Sequence, residues 1–232
     1  MRVDVAFTPA EAGEAPTGIV VDVIRATSTI CQALASGYAR VFCTAEVEEA
    51  RVVQSELGEG VLGGERNNVL IPGFDLGNSP QEYLEPRNET LVLSTTNGTR
   101  AIVAAAARCD RVFVASLLNL SAVLVAAREA GEAVVVVCAG VQGMLALDDA
   151  YVAGRIVVEL GWPRTDAAEA AARLTATWTG AEEAFRASKS GHNLLQNAPE
   201  LEDDLAFCAR ESVLDVVPRL QGMRGAAAEI VL

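Results

Sequence analysis

The sequence predicts an α/β fold with a largely parallel sheet, helices on both faces of the sheet and a helical C-terminal part. Short apolar runs without alternation recur along the chain, which is typical of strands covered on both faces. Helical patterns lie between these runs, as expected where helices connect parallel strands. From Asp148 onward the patterns are mostly helical. With 232 residues, the chain is long enough for a domain with a sizeable core.

Each predicted element has its own local signal. The strands are predicted from apolar runs at Val3–Phe7, Gly18–Ile24, Arg40–Thr44, Val61–Gly64, Leu91–Ser94, Arg111–Ala115 and Ala133–Ala139. The helices between them are predicted at Thr27–Ser36, Glu46–Glu56, Gly98–Arg108 and Leu120–Ala130. A further helix, Asp148–Leu160, is predicted to end at Gly161, and Asp166 with Glu169 has the spacing of a cap and N3 pair that opens the next one.

Two stretches of the chain have the same pattern. Residues 20–45 and 91–116 each contain a strand, a Thr-rich turn, a helix of small residues and an Arg-Val-Phe sequence that opens a strand. We therefore expect a single domain over residues 1–232 made of two related lobes, about 1–90 and 91–232. If the lobes face each other, their Thr-rich turns lie near a shared cleft.

Residues 51–100 contain no alanine, although the rest of the chain is rich in it. The middle of this stretch is dense in Gly, Pro, Asn and Asp, and it also carries the apolar residues Ile71, Phe74, Leu76 and Tyr83. Long connections of this kind are commonly functional. We expect an ordered loop that contributes to a site.

The charge balance limits the classes of function. The chain has 18 Lys and Arg against 31 Asp and Glu, a formal charge of −13, which argues against a general nucleic-acid binder. The only lysine is Lys189, so no phosphate loop of the Gly-Lys-Ser/Thr type exists. A Gly-x-Gly-x-x-Gly match at Gly58–Gly63 precedes a strand instead of following one, which excludes a dinucleotide fingerprint.

Cysteine usage and hydropathy indicate a cytoplasmic protein that does not contact membranes. The five cysteines are dispersed without a Cys-x-x-Cys pair, as expected for reduced thiols. No signal-peptide pattern opens the chain, and no apolar run reaches the roughly 20 residues of a spanning helix.

The turn after the second predicted strand is the first candidate site. Asp22 ends the apolar run, and Arg25, Thr27 and Ser28 follow at the start of a helix. Strand ends and helix N-termini favour anionic ligands in α/β proteins. The alternative is structural, with Thr27 or Ser28 capping the helix and Asp22 paired with Arg25.

The turn after the fifth predicted strand repeats this arrangement. It contains the residues Thr95, Thr96, Asn97, Gly98, Thr99 and Arg100. Small polar residues with a glycine permit a backbone nest for an anion. A Thr-capped or Asn-capped helix is the alternative explanation.

Other candidates lie at further strand ends. Glu65 is a candidate ligand of a hard cation, and Arg66 is a candidate hydrogen-bond donor to an anion. A solvated turn with a surface ion pair explains both residues equally well. Asp148 and Asp149 suit either a helix cap or a hard-cation site.

Two further residues are expected to have no role in a site or only a minor one. Cys138 is expected to be a buried small hydrophobe. The single histidine, His192, lies in a polar segment predicted to be a loop, where it is either a general acid or, as we expect, a surface residue.

Across these segments the chain resembles the 2-phosphosulfolactate phosphatase family, the ComB-like proteins. The similarity covers nearly the whole chain in the segments VVDVIRATSTI, GGERNN, GFDLGNSP, STTNGTRAI, CAGVQG, DDAYVAG and SGHNLL. One difference concerns Asp148-Asp149, because the family usually has Glu-Asp at this position.

The resemblance implies a ComB-like α/β fold, a homodimer and Mg²⁺-dependent hydrolysis of a small anionic phosphoester, (2R)-2-phospho-3-sulfolactate. In methanogens this reaction belongs to coenzyme M biosynthesis. We expect Asp22, Glu65 and Arg25 to be catalytic, and Asp22, Glu65, Asp148 and Asp149 to be the metal-ligand candidates. Substrate binding is expected from Arg25, Thr27, Arg66, Thr95, Thr96, Asn97, Gly98, Thr99 and Arg100. The alternatives are a phosphatase of another small phosphoester and a non-catalytic anion-binding protein.

Overall fold

The computed structural model describes all of residues 1–232. The strands are β1 (Val3–Ala6), β2 (Ala15–Val21), β3 (Arg40–Thr44), β4 (Val61–Arg66), β5 (Val69–Leu70), β6 (Thr90–Ser94), β7 (Cys109–Ala115), β8 (Val134–Cys138), β9 (Arg219–Arg224) and β10 (Ala227–Val231). The α-helices are α1 (Ala26–Ala35), α2 (Val47–Leu57), α3 (Gly98–Ala106), α4 (Leu120–Ala130), α5 (Leu147–Leu160), α6 (Asp166–Thr175), α7 (Ala181–Ala187), α8 (Lys189–Asn197) and α9 (Asp203–Cys208). Short 3₁₀ turns lie at Pro9–Glu11, Pro80–Tyr83 and Pro199–Leu201.

All ten strands form one mixed sheet in the order β1-β8-β2-β7-β9-β10-β3-β6-β4-β5. It contains two parallel groups, β1-β8-β2-β7 and β3-β6-β4. The β9–β10 hairpin joins them through antiparallel pairing with β7 and β3. The predicted α/β class with a largely parallel sheet is therefore confirmed, and each parallel group contains strands from both sides of residue 90. The division into two lobes near that residue stays a prediction.

The two similar stretches form matching strand–helix–strand units. In the first, β2 leads through α1 to β3, and in the second, β6 leads through α3 to β7. Each unit crosses from one parallel group to the other. Helices α1 and α3 consequently contribute side chains to a core that contains residues of both groups, such as Val20, Val114 and Leu93.

Helices cover the outer faces as well. A second core packs α4, α5 and α6 on the β1-β8-β2-β7 group and includes the fully buried residues Ile19, Val136 and Ile156. A smaller one packs α2 on the other group through Phe42 and Val53. None of the helices has the length and apolar character to span a membrane.

The loop without alanine is ordered by its apolar side chains. Ile71, Phe74, Leu76 and Tyr83 are all buried, as the sequence predicted. The Tyr83 hydroxyl donates a 2.7 Å hydrogen bond to the Gly77 carbonyl. This anchoring fixes the loop beside the ends of β4 and β6.

The C-terminal part is mostly helical, as predicted, although two strands that were not predicted, β9 and β10, follow α9. Two predictions about local structure are wrong. Thr165 and not Asp166 caps α6, since the Thr165 hydroxyl accepts the Ala168 N–H. His192 lies in α8 and not in a loop, although it is exposed as expected. Cys138 is buried in the larger outer core, as predicted.

Candidate active site

A polar cleft lies where the turns after β2, β4 and β6 meet α8. Only two of its fourteen lining residues are hydrophobic. The lining consists of Asp22, Ile24, Arg25, Glu65, Asn67, Asn68, Asn78, Thr96, Asn97, Val141, Gln142, Ser190, Asn193 and Asn197. The cleft therefore brings together both Thr-rich turns, as their internal similarity suggested.

The first turn is held by hydrogen bonds within itself. The Thr27 hydroxyl donates to the Asp22 carbonyl at 2.9 Å, and the Ser28 hydroxyl donates to the Val23 carbonyl at 2.9 Å. Neither hydroxyl caps α1. The backbone N–H of Ala26, in the first turn of that helix, acts on the Asp22 carboxylate and lowers its pKa, against the larger effect of burial.

The second turn approaches the first through Gly98. A β-carbon at Gly98 would overlap the side chain of Ala26 and lie 2.6 Å from Oδ2 of Asp22. The start of α3 is thus in direct contact with the start of α1, and any side chain would separate them. In the same turn, the Thr95 hydroxyl accepts the Thr99 N–H at 3.2 Å, which satisfies one free donor of α3.

Glu65 connects the ends of β4 and β6. It is 6% exposed, and its carboxylate accepts hydrogen bonds from the Thr96 N–H at 2.8 Å and the Asn68 N–H at 2.7 Å. The Thr96 hydroxyl donates a third, at 3.1 Å. These donors compensate for the burial of a negative charge in the cleft wall.

Asp148 and Asp149 are both buried in the first turn of α5. Asp149 accepts the Val23 N–H at 2.9 Å and the Gly140 N–H at 3.0 Å, so it ties the ends of β2 and β8 to this helix. Asp148 accepts a hydrogen bond from the Ser190 hydroxyl at 3.0 Å. Ser190 in turn lines the cleft.

Burial and mutual repulsion favour the protonated forms of the carboxyl groups around the cleft. Burial raises the pKa of Asp22 to about 7, and the charges of Asp148 and Glu65 act in the same direction. Burial also raises the pKa of Asp148 to about 6. For Asp149, burial and then the charge of Asp148 hold the pKa well above its usual range. A cation bound among these groups would relieve the repulsion.

Arg25 is a buried cation in the same wall. Its side chain is 1% exposed, and Nη1 pairs with Oδ2 of Asp204 at 2.8 Å. Nη2 lies 3.5 Å from Oδ1 of Asn68, and Nε has no hydrogen-bond partner. The donors of the guanidinium are therefore not all satisfied within the protein, although its residue lines the cleft.

Arg66 and Arg100 occupy different positions from Arg25. The Arg66 guanidinium donates to the carbonyls of Glu65 and Ala45 and to the Ser94 hydroxyl, at 2.8, 3.0 and 2.9 Å. Arg100 is exposed and pairs with Glu46 at 2.6 Å. Both line a shallow neighbouring cleft that shares Thr96, Asn97 and Gln142 with the main one.

The donor set fits a hydrated hard cation. No group of three or more His, Cys, Asp and Glu side chains converges as a complete metal cage. Asp22 and Glu65 are the two carboxylates that line the cleft, and the carboxamide side chains of several Asn and Gln residues line it as well. Mg²⁺ is commonly bound through one or two carboxylates and retains several waters.

The sequence did not predict that the C-terminal helices α8 and α9 form one wall of the cleft. Asn193 and Asn197 line the cleft from α8, and Asp204 reaches Arg25 from α9. Ser190, Asn193 and Asn197 recur at helical spacing, which was a signal of a polar face. Asn67, Asn68, Asn78 and Gln142 were also missed as lining residues.

Two helix N-termini, a buried arginine and two carboxylates lie together at this edge of the sheet. Strand ends and helix N-termini are where enzymes of the α/β class commonly bind small anionic ligands. The family model described as 2-phosphosulpholactate phosphatase matches residues 6–223. The chain belongs to this family, and it is accordingly a phosphatase, which hydrolyses phosphoric monoesters.

Relatives from several bacteria are similar over nearly their whole length, and each is named a probable 2-phosphosulfolactate phosphatase. The protein of Symbiobacterium thermophilum is 39% identical, over 90% of this chain and 93% of its own. That of Thermotoga petrophila is 39% identical, over 94% of this chain and 95% of its own. That of Thermus thermophilus is 38% identical, over 98% of both chains.

Proposed function

We propose that the protein hydrolyses (2R)-2-phospho-3-sulfolactate to (2R)-3-sulfolactate and inorganic phosphate, with Mg²⁺ as cofactor. The names of the relatives suggest this substrate. The observation that carries the proposal is the convergence of Asp22, Glu65 and Arg25 beside the abutting N-termini of α1 and α3.

The phosphoryl group is expected to bind at the helix N-termini. First-turn N–H groups and the helix dipole favour an anion there, and Arg25 adds a fixed positive charge in the wall. These groups stabilise negative charge on the phosphoryl oxygens without reorganising during the reaction. The sulfonate and carboxylate of the substrate would extend toward the carboxamides of the cleft, and Arg100 lies in the neighbouring cleft that shares Thr96 and Asn97 with it.

Asp22 and Glu65 would hold the metal, with Asp148 and Asp149 behind them. When bound, Mg²⁺ would supply neutralisation of developing charge and orientation of the phosphoryl group. Burial raises the pKa of Asp22 to about 7 in the metal-free protein, and a bound cation would favour the ionised carboxylate that a metal ligand requires. The bonds to Thr96 and Asn68 keep the Glu65 carboxylate oriented.

Phosphate release from phosphosulfolactate tests this proposal. Purified protein is assayed with Mg²⁺ and after removal of metal by a chelator, and turnover is expected only with the metal. The Asp22→Asn and Glu65→Gln variants are expected to lose at least about a hundredfold in kcat/KM. Asp215→Asn, an exposed carboxylate outside the cleft, serves as the matched control.

The same assay separates the alternatives. Release of phosphate from other small phosphoesters, but not from phosphosulfolactate, would assign a different substrate. Binding of phosphosulfolactate without turnover under any divalent metal would identify a non-catalytic anion-binding protein.

A further inference from the structure

Asp204 is a buried carboxylate that the cleft itself does not expose. It lies in the first turn of α9, 179 residues away from Arg25 in the sequence, and its side chain is 0% exposed. It accepts three hydrogen bonds, from Arg25 Nη1 at 2.8 Å, the Ser79 hydroxyl at 2.6 Å and Gln81 Nε2 at 3.0 Å. One side chain therefore joins the β2–α1 turn, the loop before β6 and the C-terminal helices.

Stability alone does not account for this ion pair. Removing two charges from water is costly, and buried pairs commonly contribute little net stability compared with well-packed apolar residues. Their best-supported role is to fix a unique arrangement of side chains. The arrangement fixed here is the position of a guanidinium in the wall of the active-site cleft.

The contacts leave the other two nitrogens of the guanidinium without a short hydrogen bond. Asp204 engages Nη1, whereas Nη2 has only a long 3.5 Å contact with Asn68 and Nε has none. An arginine carries five N–H donors in a rigid fork, so holding one edge orients the rest. Ser79 and Gln81 donate to the other oxygen of Asp204 and prevent the carboxylate from turning.

We infer that Asp204 is a positioning residue that orients the Arg25 guanidinium to bind the oxyanion of the substrate. Asp204 makes no contact with the ligand itself. The inference rests on the proposed function in that the oxyanion is a phosphoryl group, and inorganic phosphate is therefore the probe.

The first test compares two neighbouring acids of α9. Asp204→Asn preserves shape, and its oxygen still accepts from Ser79 and Gln81, but its NH₂ group would face the donor of Arg25. Asp203→Asn removes the same charge from the exposed adjacent position. Calorimetry with inorganic phosphate and Mg²⁺ is expected to show a Kd increase of about tenfold or more for D204N. D203N is expected to bind as the wild type does.

The second test uses chemical rescue, which a merely structural role would not produce. Arg25→Ala leaves a space beside Asp204, and millimolar guanidinium is expected to restore part of the lost phosphate affinity. In the Arg25→Ala/Asp204→Ala double variant, which buries no unpaired charge, the same guanidinium is expected to restore nothing. This comparison remains valid if D204N fails to fold.

The outcomes distinguish this inference from the proposed function. Wild-type phosphate affinity in D204N, or equal rescue of the single and double variants, would overturn the positioning role. Absence of phosphate binding to the wild type would overturn it as well. Phosphate binding that depends on Asp204, together with no turnover of phosphosulfolactate, would support the positioning role and contradict the proposed substrate.

Discussion

Glu65 and Thr96 are joined by two hydrogen bonds, one from the Thr96 N–H to Oε1 at 2.8 Å and one from the Thr96 hydroxyl to Oε2 at 3.1 Å. Glu65 belongs to β4, and Thr96 lies in the turn between β6 and α3. The pair orients a cleft carboxylate by means of the turn that also begins one of the two converging helices. A change at Thr96 is therefore expected to affect the site without affecting the core.

Thr96→Val removes the hydroxyl bond and preserves the backbone bond. We expect kcat/KM to fall about three- to tenfold, since a single hydrogen bond of this kind contributes roughly 1 kcal/mol. Thr96→Ser keeps the hydroxyl and is expected to stay within about twofold of the wild type. Equal loss in both variants would show that the methyl group, and not the hydroxyl, supports Glu65.

Asp22→Asn is expected to make the metal-free protein more stable while reducing activity. The folded state binds the Asp22 proton more tightly than the unfolded state, since the pKa rises from 3.8 to about 7. This contribution lowers stability as pH increases from about 4 to 7, and above pH 7 the penalty of at most about 4 kcal/mol is complete.

Thermal unfolding in the presence of a chelator measures this effect. The midpoint of D22N is expected to lie several degrees above that of the wild type at pH 8, with a smaller difference at pH 5. Asp215→Asn, at an exposed position, should leave the midpoint unchanged at both pH values. A lower midpoint for D22N at pH 8 would mean that contacts of the carboxylate outweigh its desolvation.

Gly98→Ala is expected to separate the two helix N-termini. The new methyl group would overlap Ala26 and lie 2.6 Å from Asp22 Oδ2, so both residues must move. Overpacking of this kind costs about 1–3 kcal/mol, which lowers Tm by about 2–12 °C. Misplacement of Asp22 should also reduce kcat/KM by at least about tenfold.

Gly222→Ala is the matched control, because no heavy atom lies within 4 Å of its added methyl group. It should unfold and turn over substrate as the wild type does. Wild-type activity in Gly98→Ala would show that the close approach of α1 and α3 is unnecessary for the site.

The cysteines are expected to differ sharply in reactivity. Burial raises the pKa of Cys31 and Cys208 to about 12, and those of Cys43 and Cys138 are also well above the usual range. Cys109 is only partly buried. At pH 8 the native protein should react with about one equivalent of a disulfide reagent, and the remaining thiols should react only after unfolding.

A Cys109→Ser variant identifies the reactive thiol. The rapid reaction should disappear in this variant, while the reaction of the unfolded protein should decrease by one equivalent. Rapid reaction of two or more thiols in the native wild type would show that the cores are more accessible than the structure indicates.

The sequence predicted those parts of the site that depend on local order. Asp22 and Gly98 were both predicted as site residues because each lies where a buried strand leads into a helix, and the two stretches share that pattern. This kind of pattern involves only neighbouring residues, so it can be recognised in the sequence alone. The meeting of the two turns also followed from their similarity, since related units that face each other bring equivalent turns together.

Contacts between distant segments could not be predicted in this way. Asp204 stands in the acidic run Glu202-Asp203-Asp204, which has the composition of an exposed helix start, and only packing buries one of the three. Strands β9 and β10 were missed because β9 is largely exposed and β10 begins with alanines typical of helices. Their pairing with β7 and β3 is determined by tertiary structure.

The β9–β10 hairpin has a consequence for folding during synthesis. It provides the only ladder between the two parallel groups, yet residues 219–231 leave the ribosome after every other element described here. Until then, the groups are held together without a ladder, by the packing of α1 and α3 and by side-chain contacts such as those of Asp204 with Arg25 and Ser79. Because chains emerge at about 5–20 residues per second, the β7 and β3 edges stay open for several seconds after β7 emerges. This chain is therefore expected to depend on protection of those edges while it is being translated.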